Sequence, residues 1–294
     1  MGNRIVTLLG MVLSSCSLFT PEEHVPAWIH IESFDVVDNP EVSEGSLSHD
    51  ITDAWVFIDE EMIGIYELPA TIPILEEGER RLLVGPGIKV STVSTLRDNY
   101  LFYRGHEEVI NLQKDETLEV FATTSYRNEG AYTYEIVDDF ESSFLAFTKD
   151  EQSDVEFVRT SDESLVFEGT GSGVMVINDT MDAAAFRTAE NYNLPAKGKT
   201  VFMELDYYTD YDLTVGLVIH NNGYQDETVD YLTLRREESG ELKWKKAYIA
   251  LTSVISGAAN PIDMYPYFIA QLNTSEAPSS GVVLIDNVKF LYQN

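Results

Sequence analysis

The sequence predicts an all-β chain, a small antiparallel sandwich followed by a larger β jelly roll, behind an N-terminal segment of different character. Three observations carry this. Apolar and β-branched residues recur in short runs with two-residue alternation, as half-buried strands require. Turn-forming clusters such as Asp59-Glu60-Glu61, Glu76-Glu77-Gly78-Glu79 and Gln113-Lys114-Asp115-Glu116 separate the runs. No helical period of useful length intervenes anywhere after the first residues. At 44% hydrophobic content over 294 residues the chain can fill two cores of ordinary size.

The N-terminus reads as an export signal. Met1 and Arg4 form a short positive region, Ile5 to Leu13 an apolar run, and Ser14 and Ser15 a small-residue exit. The run is too short to cross a bilayer, which takes ~20 apolar residues. Leu13-Ser14-Ser15-Cys16 resembles the lipobox of bacterial lipoproteins. That resemblance implies cleavage after residue 15 and a covalent lipid on Cys16, the only cysteine in the chain. Ser17 follows the cysteine where lipoproteins retained at the inner membrane often carry Asp, so the expected location is the outer membrane, with the cell surface slightly favoured over the periplasmic face and outer-membrane lipid as first partner. Residues 16–26, with Pro21 and Pro26, read as a tether.

Residues 27–126 read as the first domain. Trp28, Ile29, Ile31 and Phe34 mark a strand. Residues 38–50 are polar and turn-rich. Runs 54–58 and 62–66, 71–75 and 81–84, and 109–112 and 117–124 read as three hairpins. Trp55-Val56-Phe57-Ile58-Asp59, Ile63-Gly64, Leu68-Pro69-Ala70, Ile72, Leu75, Gly78, Leu82 to Val84 and Gly87 together resemble a PEGA-type surface domain, which implies a small sandwich outside the cytoplasm and no activity. The Asp59 carboxyl can bond turn amides, and Pro69 must stand at a strand start or edge. Residues 127–138 read as a linker.

Residues 139–294 carry strands at 165–168, 173–177, 200–207, 213–220, 231–234, 243–251, 267–272 and 282–291, which predicts a jelly roll. Asp139-Phe140-Glu141, Glu168-Gly169, Ser172-Gly173, Glu204 to Tyr207, Trp244 to Tyr248 and Leu284 to Val288 follow the order of features in galactose-binding-like jelly rolls, the fold of many carbohydrate-binding modules. The resemblance implies a structural calcium bridging Glu141 and Asp286.

Catalytic motifs fail on inspection. Glu204-Leu205-Asp206 starts the acid pattern of a jelly-roll glucanase, but Thr209 stands where the third acid belongs, and glycoside hydrolysis needs its carboxylate pair. Ser172 lies outside any Gly-x-Ser-x-Gly, no His-Glu-x-x-His occurs, and one acylated cysteine cannot build a zinc site. The expectation is a protein that is not an enzyme. The formal net charge of −31, or −32 once Arg4 is removed (18 basic against 50 acidic side chains), repels phosphate backbones and excludes nucleic acid as a partner.

Aromatic residues crowd the second domain, and Trp244, Tyr248, Tyr265 and Tyr267 are the candidate binding residues, since exposed rings stack on sugars or anchor interfaces. The sequence favours an accessory or assembly subunit of an outer-membrane β-barrel complex for protein insertion, secretion or uptake. The alternative is a surface lipoprotein that binds polysaccharide.

Overall fold

The computed structural model describes residues 25–91, 96–128, 130–274 and 277–294. The export signal, Cys16 and most of the tether lie outside the described residues. No described helix is long and apolar enough to cross a membrane.

The first half is built from β1 (Ala27–Val36), β2 (Ile51–Ile58), β3 (Glu61–Glu67), β4 (Ala70–Ile74), β5 (Gly78–Lys89), β6 (Arg97–Asn99), β7 (His106–Leu112) and β8 (Thr117–Thr124). One sheet runs β4-β1-β8, with β1 and β8 parallel; the other runs β3-β2-β5, with β6 and β7 sharing the far edge of β5. Alternation in β1 and β8 sends Ile29, Ile31, Val120 and Ala122 into the core.

The β2–β3 hairpin forms as expected. The other two expected hairpins do not: β4 pairs with β1 and β5 with β2, while β7 pairs with β5 and β8 with β1. Their short connections carry the chain between sheets, because each flanking strand buries its apolar face against the opposite sheet. The Asp59 carboxylate accepts the amide of Arg81 on β5 at 3.0 Å, and Pro69, after a cis peptide bond, immediately precedes edge strand β4.

The second half comprises β9 (Tyr132–Asp138), β10 (Phe147–Lys149), β11 (Val158–Thr160), β12 (Ser172–Ile177), β13 (Ala184–Thr188), β14 (Val201–Thr209), β15 (Leu213–Asn221), β16 (Glu227–Leu234), β17 (Lys245–Ala250), the single-turn-and-a-half helix α1 (Thr252–Gly257), β18 (Pro261–Ala270) and β19 (Gly281–Gln293). Two sheets face one another as a jelly roll. One runs β10-β13-β18-β15-β16 and the other β11-β12-β19-β14-β17, with β9 also paired to β19. Residues 127–138, expected as a linker, therefore contain a strand. The strand expected at 165–168 is a run of turns.

Between these sheets Phe186 stacks on Phe268 (4.7 Å, 4°) and on Phe157 (4.6 Å, 22°). Every residue of β14 is buried, because both its faces are covered. Val201, Met203, Leu205 and Tyr207 point into the jelly-roll core. Phe202 joins Tyr248 and Leu291 in the core of the first half, which packs on the outer face of this sheet.

Candidate functional site

The outer face of the β10-β13-β18-β15-β16 sheet is not covered by the first half, and it carries a cavity of about 700 Å³. Its position follows from alternation in β18. Met264, Phe268 and Ala270 pack inward, so Asp263, Tyr265, Tyr267 and Ile269 project outward. The small residues Ala183, Ala184 and Ala185 on the β13 side give the groove depth. Val218 from β15 and Thr228 and Asp230 from β16 close the other side, and Asp150, just after β10, stands at the far flank. The groove thus crosses all five strands, a span of four inter-strand spacings or ~19 Å.

Tyr267 forms the floor. Its ring lies across β15 at Gly216, where a Cβ would come within 2.2 Å of it, and its hydroxyl donates to Asp230 on β16. Burial and this bond to Asp230 raise its pKa, so it stays a neutral phenol. Tyr265 is half-buried. The Arg187 guanidinium stands 5.0 Å from its ring centroid, with Nη1 donating to the Thr188 carbonyl at 2.9 Å. The His220 ring lies 5.8 Å from the Tyr265 ring, held by Asp263 (Nδ1 to Oδ1, 2.5 Å). Ile269 remains 39% exposed. The arrangement offers flat apolar surface in the centre and hydrogen-bond acceptors at the flanks.

Of the four aromatic candidates, the structure brings two together in the groove, Tyr265 and Tyr267. Tyr248 lies instead beneath the first half, where its hydroxyl accepts the Asp50 amide at 3.0 Å and its ring meets Tyr100 edge-on at 5.0 Å. Trp244 sits beside the other sheet, packed against Phe167 at 5.2 Å. Asp150, Asp182, Asp230 and Gly216 were not singled out from sequence; surface acids and strand glycines are too common to stand out, and only the crowding of aromatic residues pointed here.

The acids that suggested hydrolysis are structural. Glu204 is fully buried between the two halves of the chain. It accepts from Tyr100 (2.6 Å) and Tyr126 (2.9 Å), with the ammoniums of Lys246 and Lys289 at 3.4 and 3.6 Å. Burial works to raise its pKa, but the two lysines and the two hydroxyls outweigh that and leave it below its ordinary value. Burial pushes Lys289 down to about 8 despite Glu204; its Nζ also donates to the Glu44 carbonyl at 2.7 Å. Asp206 accepts from Ser48 (2.6 Å) and Asn287 (3.0 Å). Both acids are buried and engaged by these partners, which makes them part of the packing between the two halves.

Glu141 and Asp286, the expected calcium ligands, each accept hydrogen bonds from neighbouring groups. Glu141 accepts from the amide and hydroxyl of Thr170, each at 2.8 Å. Asp286 accepts from Ser172 Oγ at 2.6 Å and the Asn287 amide at 2.8 Å. No group of three or more His, Cys, Asp or Glu converges among the described residues.

Asp286 is expected to give the fold a pH dependence. Burial pushes its pKa up to about 7, although Ser172 donates to it. The native state therefore keeps a proton that the unfolded chain releases near pH 4, and this group's contribution to stability is lost as pH rises from about 4 to about 7. Asp286→Asn keeps an acceptor for Ser172 and removes the titration. Urea unfolding at pH 5 and pH 8 is expected to show the variant gaining on wild type by roughly 2.7 kcal/mol, the two pKa units between pH 5 and 7 at about 1.4 kcal/mol each. An identical pH slope in both proteins contradicts the assignment.

No protein-family model matches the chain, and no curated protein matches it. Solved structures similar to part of it include the CBM22-1 xylan-binding domain from Paenibacillus barcinonensis Xyn10C (12% identity, TM-score 0.38, 55% of this chain and 96% of that one). The family 11 carbohydrate-binding module from Clostridium thermocellum in complex with a β-1,3-1,4-mixed-linked tetrasaccharide is another (16%, 0.35, 55% and 96%). TmCBM61 in complex with β-1,4-galactotriose is a third (15%, 0.32, 50% and 87%).

Proposed function

We propose that this chain is a non-enzymatic glycan-binding protein whose ligand lies in the groove across β10, β13, β18, β15 and β16. One observation carries the reading: a cavity of about 700 Å³ on an uncovered sheet face, floored by Tyr265, Tyr267 and Ile269 and flanked by carboxylates and amides. A sugar chain presents both surfaces that this groove matches. Its ring faces are apolar and pack on flat side chains, and its hydroxyls donate to carboxylate and amide oxygens such as those of Asp150, Gln152, Asp230 and Asn273. A ligand without hydroxyls would leave those acceptors unpaired at a cost in affinity. The groove favours this reading over the accessory-subunit one. Native electrophoresis through gels containing neutral plant, algal and host polysaccharides tests it. Retardation by at least one polymer is expected; unchanged mobility in all of them sinks the proposal.

The same proposal has Cys16 carry a lipid that holds the groove at the outer membrane, outside the cell, with the PEGA-like first half as the mount. Two or more acyl chains anchor stably, at ~0.8 kcal/mol per buried CH₂. Cys16→Ala is expected to move the protein from the detergent-extracted envelope into the soluble fraction, with polysaccharide retention of the purified protein unaltered. A variant that stays in the envelope contradicts the anchor.

A further inference from the structure

We propose that the groove selects its glycan by charge, admitting uncharged sugar chains and turning away those that bear uronates or sulfates; this rests on the groove being the glycan site. The lining contains Asp150, Asp182 and Asp230 and, among its residues, no Lys, Arg or His. Two basic side chains on the same face are already engaged, Arg187 with the Tyr265 ring and the Thr188 carbonyl, and His220 with Asp263.

The placement of the acids matters as much as their number. Asp150 and Asp182 stand on one flank, at β10 and before β13, and Asp230 stands on the other, on β16. Asp154 adds a carboxylate at the first flank, where its Oδ2 accepts the amides of Asp182 (3.0 Å) and Ala183 (3.1 Å). A sugar chain laid across five strands meets a carboxylate at each end. A polymer charged at every residue then has no register that avoids a like-charge contact, whereas hydroxyls meet the same oxygens as hydrogen-bond donors. The repulsion is local. It differs from the diffuse field of a chain with net charge −31, which salt screens beyond ~8–10 Å.

Matched polymers separate these effects. The full chain is run through native gels containing methyl-esterified or free galacturonan, and hydroxyethyl or densely substituted carboxymethyl cellulose. Asp150→Asn/Asp182→Asn is run beside it. This variant keeps the Asp150 Oδ1 acceptor that caps the Gln152 amide at 3.0 Å, and it leaves Asp230 in place to hold Tyr267.

Wild type is expected to be retarded by the uncharged member of a pair and much less by its anionic partner. The variant is expected to narrow that ratio by roughly fivefold per charge removed at low salt, the factor that ~1 kcal/mol of Coulomb energy provides. Retardation of wild type by an anionic polymer equal to its uncharged partner overturns the inference and leaves the glycan site standing. An unchanged ratio in the variant overturns it too, since the net charge alone would then discriminate. Retention by no uncharged polymer overturns the site and this inference together.

Discussion

Glu204→Ala is expected to cost ~3–5 kcal/mol of folding stability, the penalty of breaking a buried ion pair and leaving its partner charge behind. The carboxylate is the common acceptor for four groups that reach it from distant parts of the chain: Tyr100, Tyr126, Lys246 and Lys289. Removing it leaves two buried ammoniums beneath the first half without their shared carboxylate. Lys246 keeps Asp206 at 3.5 Å and Ser48 at 2.8 Å, while Lys289 keeps only neutral oxygens and the face of the Tyr126 ring at 4.2 Å. Glu204→Gln preserves volume and removes the charge, and most of the loss is expected to persist. Urea unfolding measures both. A loss below 1 kcal/mol for the alanine variant would mean that water or rearranged side chains reach the site, and that the two halves are joined by their apolar contacts alone.

The second large effect falls on binding. Tyr265→Ala is expected to weaken glycan affinity tenfold or more, the ~1.4 kcal/mol and upward typical of a central aromatic contact, with the unfolding midpoint little changed because the ring is half-exposed. Tyr267→Ala is expected to cost more, since it removes the floor and strips Asp230 of its phenol donor. Gly216→Ala reaches the same ring from below. The added methyl cannot coexist with Tyr267 as placed, so the ring must lift, at ~1–3 kcal/mol of strain. Calorimetric titration of the three variants with a glycan that retards wild type tests the set. Unaltered affinity in Tyr265→Ala and Tyr267→Ala would move the site off this sheet.

Much of the fold was legible because alternation is a local signal. Strands β3, β14, β15 and β19 were placed to within two residues at each end. What was not legible depended on partners far away in sequence. The four residues Gln113–Glu116 could join neighbours in one sheet or cross between two, and only the parallel pairing of β8 with β1 decides. Strand β9 reads as a connector until it meets β19 about 150 residues later. Strands β10, β11 and β13 are too short to show a period.

The site was half legible on the same grounds. Tyr265 and Tyr267 share an outward face through their spacing. Tyr248 has the same composition and alternation around it but lies under another domain. Glu204 looked like half of a catalytic pair because its counter-charges are 42 and 85 positions away, at Lys246 and Lys289.

The most direct test of the account is a hydrogen-exchange footprint of the full chain with a polysaccharide that retards it. The expected result is slowed exchange in β13, β16 and β18 and in residues 271–274, with β17 and the first half unchanged. Protection confined to the first half, or to the Trp244 side of the other sheet, would contradict the assignment of the groove as the glycan site.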